Sequence, residues 1–179
     1  MESKIVNGKE YQIVKLLGKG KGGYSYLARC DSKDFVLKQI HHEPCSYYTF
    51  GNKIEAENND YHRLLNTGIT IPKMIDIDFN QEIIIKEYID GDTIYDLVLH
   101  DIDISKYINK AYDIEKHLKE FSINIDYFPT NFIPKEDKLY YIDYECNNYM
   151  EEWNFTNWGI KYWSKTQEFL DYVKSHDNK

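Results

Sequence analysis

The sequence predicts an α+β chain in two lobes: a five-stranded antiparallel sheet with one helix, followed by a reduced, mainly helical lobe. Three observations predict it. The first forty residues alternate apolar and polar side chains in short runs separated by glycines, the pattern of half-buried strands. Ser105 to Phe121 spaces Tyr107, Ile108, Ala111, Ile114, Leu118 and Phe121 three and four apart, one apolar stripe of a helix. Between them Asp90-Gly91-Asp92 punctuates the chain, which places the lobes at 1–89 and 90–179.

Tyr11 to Leu17 and Tyr24 to Ala28 alternate, Phe35-Val36-Leu37 is a third run, and the three read as a meander. From Asn52 to Asn66 strand formers thin out; Ile54, Tyr61, Leu64 and Leu65 recur near helical spacing, with Gly68 as the stop. After Pro72, Lys73 to Phe79 alternates and Ile83-Ile84-Ile85 is β-branched across Asn80-Gln81, a hairpin that completes the sheet. Thr93 to Leu99 reads as a short helix capped by Asp92, and the long helix has Ser105 or Asp103 near its cap. Asn131 to Pro134 and Leu139 to Ile142 flank Lys135-Glu136-Asp137-Lys138 as a second hairpin; helical stretches around Trp158 to Trp163 and Thr166 to Val173 follow.

Composition narrows the function. The 179 residues carry 22 basic and 30 acidic side chains, a formal charge of −8, and no run of five Lys and Arg offers an anionic polymer a footing. Neither a nucleic-acid nor a membrane signal is present. Met1-Glu2-Ser3-Lys4-Ile5 lacks an apolar leader, and no apolar stretch nears the roughly 20 residues of a span, so a soluble, cytoplasmic protein is expected. Cys30, Cys45 and Cys146 have no paired spacing, which argues against a disulfide framework or thiolate zinc site.

The strongest local signal is Leu17-Gly18-Lys19-Gly20-Lys21-Gly22-Gly23-Tyr24, G-x-G-x-x-G between two strands. A dinucleotide fold needs a helix at the third glycine; strand-loop-strand instead lays backbone over phosphates like a flap. Lys38 ends the third strand, where its ammonium could reach the α- and β-phosphates of a nucleotide held under the loop. The loop and lysine together resemble elements of the protein-kinase-like superfamily. That resemblance implies a helix glutamate holding Lys38, for which Glu57 is preferred by spacing and Glu55 is the alternative. It implies a hinge at Ile84-Ile85-Lys86-Glu87-Tyr88-Ile89-Asp90-Gly91, where backbone groups of Glu87 and Ile89 pair with adenine. Lys86 then either faces the pocket or points outward from its strand.

Asn124-Ile125-Asp126-Tyr127-Phe128-Pro129-Thr130-Asn131 is similar to the family's H-x-D-x-x-x-x-N loop, with Asn124 in place of histidine. By that resemblance Asp126 serves the acceptor hydroxyl and Asn131 offers oxygen to Mg²⁺. Tyr140-Tyr141-Ile142-Asp143-Tyr144-Glu145 resembles the D-F-G element in the form found in aminoglycoside and choline phosphotransferases. Asp143 is then the main Mg²⁺ ligand, and Glu145 faces the metal or stands behind it. Few residues follow Asp143 and no A-P-E segment is visible, a compactness similar to lipopolysaccharide core kinases and to the small kinase or ATPase associated with tRNA threonylcarbamoyladenosine synthesis.

The resemblance implies a kinase using ATP and Mg²⁺ to phosphorylate a hydroxyl on a small molecule or sugar. A protein serine/threonine kinase, a partner-dependent ATPase and a nucleotide-binding module without transfer are the rivals. His41-His42-Glu43-Pro44-Cys45 gathers metal-ligand types but reads as a surface loop, because adjacent histidines do not easily meet one tetrahedral ion. Trp153, Phe155, Trp158, Tyr162, Trp163, Phe169 and Tyr172 either line an acceptor pocket or pack the second lobe.

Overall fold

The computed structural model describes residues 2–44 and 51–177; Cys45 lies outside the described residues. In chain order the elements are β1 (Ser3–Val6), β2 (Lys9–Lys19), β3 (Gly23–Cys30), β4 (Lys33–Ile40), α1 (Lys53–Leu65), β5 (Met74–Asp78), β6 (Ile83–Glu87), α2 (Ile94–Leu99), α3 (Ser105–Glu120), β7 (Ile123–Ile125), β8 (Phe132–Lys135), β9 (Lys138–Tyr141), β10 (Cys146–Asn148) and α4 (Gln167–Asp177). The protein is a mixed α+β chain with two compact units: Met1–His62 with Pro72–Tyr88, and Arg63–Ile71 with Ile89–Lys179.

The first unit is built on one antiparallel sheet of six strands, ordered β1-β2-β3-β4-β6-β5. This corrects the expectation of five. The extra strand pairs Val6 with Lys9 across Asn7 and Gly8, which have φ of 46° and 83°, the left-handed geometry that makes Asn-Gly a tight hairpin turn. One sheet face buries Val6, Tyr11, Ala28, Leu37, Ile83 and Ile85 in a single apolar cluster. Because side chains alternate along each strand, the residues between them face the other way. Ser25, Lys38 and Ile84 form one such row, and Leu27, Val36 and Lys86 another. Helix α1 is tied to this second face: Glu57 bonds to Lys38, and the Tyr61 hydroxyl accepts the Met74 N–H at 3.2 Å.

The second unit centres on Ala111 and Leu118 of α3 packed with Ile123, Ile125, Tyr127, Phe132, Tyr141, Phe155, Trp163 and Phe169. Trp163 is fully buried, and its indole N–H donates to the Tyr127 carbonyl at 2.8 Å, which satisfies the one polar atom of the ring. Helix α2 is capped by Thr93 rather than Asp92: the Thr93 hydroxyl accepts the Asp96 N–H and the Asp96 carboxylate accepts the Thr93 N–H, a reciprocal capping box. Asp103 accepts the N–H of Ser105 at 2.9 Å at the start of α3.

The unit is less purely helical than expected. Besides the β8–β9 hairpin it contains an antiparallel pair of β7 with β10, strands of three residues separated by twenty and so without a local period to betray them. Among the described residues no helix is long and apolar enough to cross a membrane.

Candidate functional site

In the first unit, Lys38 Nζ meets Glu57 Oε1 at 2.8 Å, with the two side chains only 14% and 10% exposed. Glu55, the alternative partner, is exposed; two residues on along a helix is about 200° round its axis, so only one of the pair can face the strand. The turn from β2 to β3 closes with the Gly20 N–H donating to the Gly23 carbonyl at 2.9 Å. A Cβ on Gly22 would lie 3.8 Å from Lys38 Nζ, which places the turn beside that ammonium. Gly18 and Gly20 are exposed, with nothing among the described residues within 4 Å of the position a Cβ would take. Gly23 is required by packing, because a Cβ there would sit 2.5 Å from the Gln39 carbonyl oxygen.

Lys86 is buried at 6% exposure, which removes the outward-facing reading. It pairs with Val36 across β4 and lies on the Lys38 face of the sheet. Glu87 ends β6: its N–H donates to the Lys73 carbonyl at 2.9 Å, and its carboxylate accepts the Lys73 N–H at 3.1 Å. Ile89 opens the second unit and is buried.

In the second unit two short ladders bring the remaining residues together. The β7–β10 pair matches Ile125 with Cys146, so Asp126 leaves one strand where Glu145 enters the other. The β8–β9 pair matches Phe132 with Tyr141, and one step further the Ile142 N–H donates to the Asn131 carbonyl at 2.9 Å. Asn131 and Asp143 therefore flank the same rung. Asn131 Nδ2 donates to the Asp126 carbonyl at 3.3 Å, a bond that turns its Oδ1 the other way. Asp126 Oδ1 accepts the Phe128 N–H at 3.0 Å, and Asp143 Oδ1 accepts the Tyr144 N–H at 2.7 Å.

Asn131 Oδ1 and the Asp143 carboxylate are both oxygen donors, the type a hard divalent cation takes. Among the described residues no group of three His, Cys, Asp or Glu is placed to hold a metal. Two protein oxygens suit Mg²⁺, which keeps waters and substrate phosphates in its shell, better than Zn²⁺ or Ca²⁺.

Sequence reading missed several residues. Tyr141, fully buried, accepts the Asp126 N–H at 3.4 Å and donates to the Glu145 carbonyl at 2.7 Å, joining the loop to the turn. Burial, and then the charges of Asp143 and Asp126, push its hydroxyl pKa well up, so it stays a neutral donor. The segment 41–44 is a surface loop, as expected, and it is bonded to the turn: His41 bonds the Gly20 carbonyl at 2.8 Å, and Glu43 bonds both Lys19 and the Tyr24 hydroxyl. Asn124, at the histidine position, donates to the Trp153 carbonyl at 2.9 Å, while its Oδ1 is buried without a hydrogen-bond partner among the described residues. Of the aromatics, Phe155, Trp163 and Phe169 are core. Trp158, Tyr162 and Tyr172 surround Phe128, two residues beyond Asp126, at ring distances of 6.5, 5.1 and 4.6 Å.

No protein-family model matches the chain, and no curated protein matches it. The functional reading rests on the residues themselves.

Proposed function

We propose that this chain is an ATP-dependent phosphotransferase of kinase-like, two-lobed build that moves the γ-phosphoryl group of MgATP to a hydroxyl of a small molecule or sugar. The observation that carries the reading is the Lys38–Glu57 ion pair, largely buried beside a glycine turn. Holding a lysine with a carboxylate at a strand–helix junction is costly to desolvate, and it fixes a cation where phosphate oxygens can be met by ammonium and backbone together.

The second unit supplies the complementary chemistry. Asp126 orients the acceptor hydroxyl and takes its proton, with its carboxylate held by the Phe128 N–H. Asn131 and Asp143 hold Mg²⁺, which when bound offsets triphosphate charge that an acidic chain otherwise repels. The rings around Phe128 give Asp126 an apolar flank suited to an organic acceptor. On this reading the work is positioning and charge neutralisation rather than covalent catalysis.

The test is a thermal-shift titration with ATP, with and without Mg²⁺, followed by phosphate transfer to a panel of sugars, amino alcohols and protein substrates. A Mg²⁺-dependent shift with transfer to a small hydroxyl compound is expected. Absence of both sinks the reading; binding with no transfer favours a nucleotide-binding module, and transfer only to protein favours a protein kinase.

A further inference from the structure

Lys53 is the first residue of α1, immediately after Asn52, whose side chain accepts the Glu55 N–H at 3.2 Å and so caps the helix. A cation there opposes the positive end of the helix dipole, and this one is also 94% buried, with 6% exposure. Two local rules are broken at one position, the mark of a residue kept for a task. Its ammonium donates to two main-chain oxygens, those of Lys21 at 3.4 Å and of His41. His41 completes the grip: its N–H donates to the Gly22 carbonyl at 3.3 Å, and its imidazole bonds the Gly20 carbonyl at 2.8 Å. The Glu43 N–H reaches the other ring nitrogen at 3.2 Å, so the nitrogen facing Gly20 is the one bearing hydrogen.

Three successive carbonyls, of Gly20, Lys21 and Gly22, are thus held from residues 41 and 53. In a planar trans peptide the N–H points opposite to the C=O. Gripping the carbonyls therefore turns the Lys21, Gly22 and Gly23 amides away from the grip, in a turn that lies beside Lys38 Nζ.

We propose that Lys53 is the positioning residue of the glycine turn, fixing the Lys21 carbonyl so that the amides of the turn are preset for an anionic phosphate, a role that rests on the phosphotransferase reading. Preset donors need no reorganisation when the nucleotide arrives. Lys53 touches no reacting atom; it acts through the backbone.

The experiment compares the full chain with Lys53→Met and Lys53→Arg by peptide-resolved hydrogen exchange without nucleotide, and by KM and kcat for MgATP. Lys53→Met is expected to speed exchange over 18–24 about tenfold while 105–120 is unchanged, and to raise KM about tenfold with kcat within about threefold. Lys53→Arg, which keeps the cation, restores most of both. If Lys53→Met does not fold, His41→Phe removes the imidazole bonds to the Gly20 carbonyl and the Glu43 N–H and is expected to speed exchange in the same segment. Unchanged exchange in the turn, an increase shared equally by 105–120, or faster exchange with unaltered KM overturns the role. A wild-type chain that binds no MgATP removes the phosphotransferase reading alone, because the exchange comparison still decides whether Lys53 holds the turn.

Discussion

Removing one oxygen atom at Tyr141 tests how the second unit holds its chemistry. In Tyr141→Phe the ring keeps its packing against Phe132, at 5.3 Å between centroids, so no sizeable cavity opens. What disappears is the bridge: the Asp126 N–H loses an acceptor at 3.4 Å and the Glu145 carbonyl loses a donor at 2.7 Å. The first bond is long and contributes little; the second is short and made by a fully buried hydroxyl. A buried polar group left unsatisfied costs about 1–3 kcal/mol. Asp126 and Glu145 are only partly buried and water recovers some of that, so about 1–2 kcal/mol is expected. For a chain of this size that is a fall in Tm of about 2–8 °C. The kinetic effect is separate, because the hydroxyl sets the start of the loop bearing Asp126 against the turn bearing Asp143. A drop in kcat of about tenfold to a hundredfold, with KM for MgATP little changed, is the signature of lost alignment. Differential scanning fluorimetry and steady-state transfer measure the two. A variant with wild-type Tm and kcat would refute the idea that this hydroxyl joins the two segments.

The glycine turn separates packing from approach: Gly23→Ala drives a Cβ into the Gln39 carbonyl and should cost about 1–3 kcal/mol, whereas Gly20→Ala meets open space and should stay within about 0.5 kcal/mol, both read from denaturant midpoints. Asp143→Asn should raise the Mg²⁺ concentration for half-maximal transfer by about tenfold or more, and an unchanged Mg²⁺ titration removes Asp143 from the metal. Tyr127 and Tyr141 have pKa values raised above the ordinary 10.0, chiefly by burial. Above pH 10 the unfolded chain releases two protons that the folded chain keeps, so stability present below that pH falls as pH rises, by about 1.4 kcal/mol per unit for each tyrosine. Urea midpoints that stay level from about pH 9 to about pH 11 would contradict this.

What could be read from the residues was whatever turns spacing into geometry over a few neighbours. The runs Tyr24 to Ala28 and Phe35 to Leu37 follow from alternation and a short turn, and Glu57 was preferred to Glu55 by spacing. The β8–β9 hairpin was legible for the same reason. Asn7-Gly8 carried a turn signal, but the four residues before it were too short to register as a strand. The β7–β10 pair was hidden, since a ladder between 123–125 and 146–148 exists only once the hairpin between them has folded. Lys53 escaped, and the two readings of Lys86 stayed open, because a lysine in a sequence reads as a solvated charge, and only tertiary packing reveals one that is buried. The Thr93 cap was overlooked because Asp92, one residue earlier, is as good a capping type.

The carboxylates of the second unit show why so few residues can suffice there. Asp126, Asp143 and Glu145 are gathered by two ladders in a chain that is already acidic, and like charges at close quarters raise the energy of the fold. Each aspartate answers with its own backbone: Asp126 Oδ1 is held by the Phe128 N–H, and Asp143 Oδ1 by the N–H of Tyr144 and, at 3.4 Å, of Glu145. These bonds fix the orientation of each carboxylate. A short hairpin, a three-residue strand pair and one buried tyrosine hydroxyl fix the backbone on either side of these carboxylates.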